Sequence, residues 1–277
     1  MADIVTSLQR TLRTPRFAVG LDLKRLLAPA IGWIAPALLV LVWQASASAG
    51  WLPDSLLPSP FAVLASGWRL TLSGDLPRNV EVSFLRALAG LVVGGAIGFG
   101  FGLTNGLSRV SDHVTDTTLQ MARNIPHLAL IPLVIVWFGI DEAAKLFLVA
   151  LGVFFPIYAN TLHGVRSVDP HLVEMAKSYG MRRFELFRRV ILPGALPSIF
   201  VGLRYALGIM WLTLIVAETI AAQSGVGYMA MQAREFLQLD VVVLAIVIYA
   251  LLGKLADVVV RALERSCLAW RPALHGD

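Results

Sequence analysis

From Ala87 to Leu103 the chain reads ALAGLVVGGAIGFGFGL, with no charged or amide side chain. Crossing the roughly 30 Å hydrocarbon layer of a bilayer takes about 20 such residues in a helix. Composition favours the bilayer over a soluble core. Hydrophobic residues make up 57% of the 277, and charged residues only 15%, where a soluble domain carries about 25%. Further apolar runs place spans at about 28–47, 84–106, 119–139, 143–163, 196–220 and 240–260. The expectation is an all-α membrane protein of about six transmembrane helices.

Lys and Arg set the expected orientation, because cytoplasmic loops carry their excess. Five precede the first span (Arg10, Arg13, Arg16, Lys24, Arg25) and six lie between 164 and 195 (Arg166, Lys177, Arg182, Arg183, Arg188, Arg189). Only Arg69 and Arg78 follow span 1, and only Lys145 follows span 3. Both termini and the 164–195 loop are therefore assigned to the cytoplasm. The first apolar run, with five Lys and Arg spread over the 25 residues before it, reads as a retained span rather than a cleaved signal peptide. The net charge of +5 is dispersed among loops, which fits this bias and not nucleic-acid binding. Cys267 is the single cysteine, which excludes an intrachain disulfide or a Cys-based metal site.

Three segments carry more information. Ser59-Pro60 is a helix start, followed by Phe61, Leu64, Ala65, Trp68 and Leu72 at helical spacing. This predicts an amphipathic helix on the outer membrane surface, or a docking face for an external partner. Gly90, Gly94, Gly98, Gly102 and Gly106 form a four-residue ladder in span 2. Small residues at that spacing let two helices approach closely, so the ladder is read as a packing face. In span 3, Pro126 and Pro132 lie near Arg123, Asn124 and His127. A span broken there is either a pathway element or a packing kink.

The basic loop reads as two short helices. Asp169-Pro170 starts a helix over Pro170–Tyr179 and Gly180 stops it. A second helical run puts Phe184, Phe187 and Ile191 on one face and the arginines on the other, with Pro193 as its expected end. Such an element rests on the cytoplasmic ends of the spans and can fill a groove in a soluble partner.

The loop resembles the EAA loop of permease subunits in binding-protein-dependent ABC importers: EAA, three residues, Gly, nine residues, then I-x-L-P. Glu174-Met175-Ala176 stand for EAA, Gly180 for the glycine, Val190 for the isoleucine, and Leu192-Pro193 close the pattern, with Tyr179 just before the glycine. Met175 and Val190 depart from the pattern and keep its hydrophobicity. LLPSP (56–60), RNIPHLALIPLVIVWFGID (123–141), LPGALPSIFVGLRYALGIMWLTLIVAE (192–218) and YALLGKLAD (249–257) are similar to aliphatic sulfonate importer permeases. Taurine, nitrate and bicarbonate permeases share parts of these motifs.

The resemblance implies a type I ABC importer permease fold in the bacterial plasma (inner) membrane. It implies a homodimer whose loops engage cytoplasmic ATPase subunits, with an extracytoplasmic solute-binding protein delivering the cargo. The implied division is 1–72 for tail, first span and surface helix, 73–257 for the core with its loop at 169–193, and 258–277 for a cytoplasmic tail. The chain itself should be no enzyme and carry no cofactor; ATP and Mg belong to the partner. Gly253-Lys254 is no phosphate-binding loop, since Ile248 stands where the earlier glycine is required.

Arg86, Arg204, Glu218, Lys254 and Asp257 lie in or near spans, where ionisable groups are costly and face protein or water. Lys254 and Asp257 are spaced to pair on one helix. Arg204 either lines the pathway and attracts an anion or pairs with a carbonyl or carboxylate. Asn124, His127 and Glu218 complete the candidate pathway set. An ion-coupled transporter is the first rival reading, yet of its expected marks only the broken span 3 is present. A membrane hydrolase is the other; the chain has neither H-E-x-x-H nor G-x-S-x-G, and its five histidines are scattered.

Overall fold

The computed structural model describes residues 32–53 and 55–270. The chain divides after Trp51 into two units. The first contains α1 (Ile34–Ser48), an apolar helix of 15 residues. The beginning of the expected first span (28–31), the basic tail before it and residues 271–277 lie outside the described residues.

The second unit is helical throughout its described elements. It comprises α2 (Pro60–Leu72), α3 (Asp75–Leu107), α4 (Arg109–Arg123), a 3-10 turn (His127–Leu130), α5 (Ile131–Phe138) and α6 (Glu142–Arg166). Then follow α7 (Pro170–Ser178), α8 (Arg183–Leu186), a π turn (Phe187–Ile191), α9 (Leu192–Ala221), α10 (Val226–Glu235) and α11 (Leu239–Cys267). Among the described residues four helical runs are long and apolar enough to cross a membrane: α3, α6, the run from Arg183 through α9, and α11; the bent pair Arg109–Arg123 and His127–Phe138 makes a fifth if it counts as one broken span. Their outward faces carry Val92, Val93, Leu212, Ile246 and Leu251, all exposed. Helices satisfy their own backbone groups, so they tolerate such a surface in lipid.

α6 is the central post, lying along α3 on one side and α9 on the other. All five ladder glycines face α6. A Cβ at Gly94 would run into the Ala150 backbone, and one at Gly98 would meet the Phe154 carbonyl at 2.5 Å. At Gly102 and Gly106 it would come within 2.6 Å of Thr161 and 2.7 Å of Val165, and at Gly90 it would strike the Val149 side chain. On the far side, Gly164 and Gly202 allow the same closeness between α6 and α9, against Ala195 and Asn160.

Span 3 is broken at Pro126, as expected, but its bounds shift: α4 begins at Arg109, not near 119, and the pair Arg109–Arg123 and His127–Phe138 is bent by 80° about residues 124–126. Pro126 causes the break, because it lacks a donor and drives the preceding residue out of helical geometry. Pro132 breaks nothing, since it sits in the first turn of α5 where no donor is needed. Pro193 does not end the second loop helix. The chain passes through the π turn at 187–191 and continues into α9, with Pro193 in its first turn. A prolyl ring at 193 would collide with the carbonyl of residue 189 in a regular α turn, and the wider turn relieves that crowding. Finally, α10 was not anticipated. Val226, Met229, Ala230 and Ala233 do stand at helical spacing, the signal that identifies it. At the C-terminal end, α11 runs unbroken through residue 257 to Cys267.

Candidate functional site

Two polar constructions stand at opposite ends of the long helices. At one end, Asp169 Oδ1 accepts from the His171 amide (2.8 Å) and opens α7. Gly180 closes it with φ +79°, the left-handed region that favours glycine. The Met181 amide bonds back to the Ala176 carbonyl (3.1 Å) and the Gly180 amide to Lys177 (2.9 Å), so the last carbonyls are satisfied. Ala176 is the buried foot of the helix. Glu174, Met175 and Tyr179 are exposed, Tyr179 at 81%, as are Leu172 and Phe184. Val190, Leu192 and Pro193 are half-buried beneath them. Between α7 and the start of α9 runs a groove of about 610 Å³, lined by Leu172, Met175, Tyr179, Val190, Pro193 and Trp270. Exposed apolar side chains lie here beside Arg182, Arg183 and Arg188, all exposed as well, an arrangement suited to contact with another molecule.

At the other end, polarity turns inward. Arg86 on α3 is 5% exposed. Its Nε and Nη2 donate to the two oxygens of Glu142 (2.7 and 2.6 Å), a bidentate pair. Its Nη1 donates to Glu218 Oε1 (2.8 Å) and to the Ser224 carbonyl (2.6 Å), and its Nη2 also to Ser224 Oγ (3.0 Å). Lys145 Nζ, equally enclosed, reaches Glu142 at 3.0 Å. Glu218, 1% exposed, further accepts from Ser83 Oγ (2.8 Å), the Tyr249 hydroxyl (2.9 Å) and the Gly227 amide (2.9 Å). Two cations and two carboxylates make the cluster formally neutral. Enclosure of charge is tolerated where every lone pair and donor finds a partner. The cluster joins α3, α6, α9 and α11 and holds residues 224–227, which lead into α10. Gly225 has φ +109°, and a Cβ there would strike the Glu218 carboxylate.

The four candidate pathway residues do not meet in one place. Glu218 belongs to this enclosed cluster. Arg204 forms an ion pair with Glu264 on α11, which is the carboxylate pairing foreseen as one of its two roles. Along α9 it stands 14 residues, about 21 Å, from Glu218. His127 Nε2 lies 2.9 Å from Thr213 Oγ1 on α9, and Asn124 is exposed at the end of α4. Lys254 lies 4.0 Å from Asp257, whose nearer partner is Arg261. Sequence reasoning missed Ser83, Glu142, Lys145 and Tyr249. The available signal was Glu142 three residues before Lys145 at the head of an apolar helix. Among the described residues no group of three or more His, Cys, Asp or Glu side chains is arranged to hold a metal.

Helices long and apolar enough to cross a membrane pack around a central post, with a helix–Gly–helix loop exposed at one end, the architecture of a membrane-embedded subunit. The chain belongs to the family of binding-protein-dependent transport system inner membrane components, whose profile matches residues 91–268. It is 59% identical over 243 residues to a protein of Escherichia coli (strain K12) named aliphatic sulfonates transport permease protein SsuC, covering 88% of this chain and 92% of that one. Its namesake in Bacillus subtilis (strain 168) is 43% identical, over 88% and 89%. The taurine transport system permease protein TauC of E. coli is 36% identical, over 87% and 88%. Among solved structures, an amino acid ABC transporter aligns with TM-score 0.57 and 18% identity over 73% of this chain and 96% of that one, a likeness of fold. The chain is thus a permease subunit of the inner membrane and not an enzyme.

Proposed function

We propose that the chain forms the translocation pathway of an ATP-driven importer of aliphatic sulfonates. The observation that carries the cargo is 59% identity, across nearly the full length of both chains, to the permease named for aliphatic sulfonates. A second copy of the chain completes the pathway, an extracytoplasmic solute-binding protein delivers the anion, and a cytoplasmic ATPase supplies energy with its own ATP and Mg. The basic loop faces the cytosol, as the Lys and Arg bias of the sequence supports. There the exposed face around Glu174, Met175 and Tyr179 enters a cleft of the ATPase, and Gly180 fixes the angle at which α7 is presented. Residues 73–257 form the core of this machine. Asn124 and His127, at the break of span 3, are the residues of the candidate set best placed to border the pathway, since non-helical backbone in a membrane lies against protein or water.

The test is uptake of labelled butanesulfonate into vesicles holding the permease, its ATPase and its binding protein. Uptake that needs ATP and all three proteins supports the reading. Transport of taurine in preference to butanesulfonate would instead support the second reading, which 36% identity to a taurine permease motivates.

A further inference from the structure

Near the buried ion cluster, at the end of the helices opposite the loop, lies a groove of about 590 Å³ between the N-terminal turn of α3 and α10. Its volume falls in the range of small-molecule sites. Met229, Ala233 and Val241, all nearly sealed from solvent, contribute its apolar lining. Its polar lining includes Arg78, Gln223, Tyr228, Gln232 and Gln238. None of these five side chains has a hydrogen-bond or ion-pair partner among the described residues. The contrast is local: Ser224, also in the lining, is gripped by Arg86, whose cluster has every charged side chain engaged. The one carboxylate in the lining, Asp75, accepts from Ser73 Oγ at 2.8 Å.

The wall of the groove is held fixed. The Ser224 carbonyl and hydroxyl are gripped by Arg86, the Gly225 amide donates to Asn79 Oδ1 (2.7 Å), the Val226 amide to Ser83 Oγ (2.8 Å) and the Gly227 amide to Glu218 (2.9 Å). Four successive residues are thus ordered without any ligand, so binding would not have to order them.

We propose that this groove is a binding site for an aliphatic sulfonate on the permease itself, which rests on the sulfonate reading above. A sulfonate carries one negative charge and three acceptor oxygens beside an apolar chain. The unpaired Arg78 guanidinium matches the charge, the free carboxamides match the remaining oxygens, and the apolar lining matches the chain. A small inorganic oxyanion would leave that lining wet. The groove would hold the anion at the mouth of the permease after the binding protein lets go, and Arg86 would act only as a positioning residue for its wall.

The experiment measures equilibrium binding of labelled butanesulfonate to the complete complex in nanodiscs, without binding protein, with vesicle uptake in parallel. Arg78→Gln should weaken binding about tenfold or more, the loss expected for a charged hydrogen-bonding partner. Methanesulfonate, lacking the chain, should compete less well than butanesulfonate. Arg234→Gln, which removes an exposed cation of α10 outside the groove, should leave binding unchanged. Equal binding by Arg78→Gln and wild type, or equal loss in Arg234→Gln, would overturn the site. If wild type takes up butanesulfonate while Arg78→Gln both binds and transports it normally, the groove alone fails. If wild type takes up no sulfonate at all, the cargo reading fails and the proposal with it.

Discussion

The two ends of the helix bundle treat polarity in opposite ways. At the Arg86 end, two cations and the Glu218 carboxylate are drawn inward, the exposed Glu142 closes the cluster from outside, and the partners come from four helices. At the loop end, Met175, Tyr179 and Phe184 are pushed outward beside arginines, and the groove between α7 and α9 is open among the described residues. A satisfied, largely buried cluster fixes how helices sit; an exposed amphipathic surface is suited to contact with another molecule. Mutations at the first end should therefore cost stability. At the second they should cost partnership.

The largest effect is expected for Glu218→Leu. It strips Arg86 of one buried counter-charge and leaves Ser83, Tyr249 and the Gly227 amide without their acceptor. Breaking a buried pair from one side costs about 3–5 kcal/mol, to be read as lost thermal stability and membrane abundance. Normal abundance would mean the cluster braces nothing. Next comes Gly94→Leu, whose side chain must enter the Ala150 backbone; overpacking costs about 1–3 kcal/mol or more. Gly100→Leu is its control, since a Cβ there meets nothing within 4 Å. If both glycines tolerate leucine equally, the ladder is not the contact that sets α3 on α6. Gly180→Val should cost at least about 1 kcal/mol locally, because a β-branched residue resists φ +79°. It should insert normally and transport poorly. Arg204→Met should be the mildest. Its ion pair with Glu264 is partly solvated, at 38% and 24% exposure, and such pairs contribute at most about 1 kcal/mol. Loss of uptake at normal abundance would return Arg204 to the pathway.

What was legible in the sequence follows the same division. The loop end is written locally: Asp169-Pro170 and Gly180 determine α7 through backbone chemistry within a dozen residues, and the helix lies where those signals put it. The span helices are written in apolar runs of sufficient length, although α3 begins at Asp75, well before the expected 84. The Arg86 cluster is written non-locally. Arg86 and Glu218 stood out as charges in apolar helices, but 132 positions separate them, and only the packing of α3 and α9 around α6 explains their pairing. Pro193 misled because proline is an α-helix breaker by rule, and a single widened turn defeats the rule. α10 escaped because ten residues between two long spans look like a connector, despite their helical spacing.

The division between a brace and a docking face is tested most directly by the double variant Met175→Ser, Tyr179→Ala. Both side chains are exposed, at 52% and 81%, so their loss should leave thermal unfolding of the permease within about 0.5 kcal/mol of wild type. The measurement is the amount of ATPase that co-purifies with the permease, taken with that unfolding curve on the same preparation. The expected result is an unchanged unfolding curve with ATPase recovery reduced severalfold. Full recovery of ATPase at unchanged stability would contradict the account and move the docking surface elsewhere.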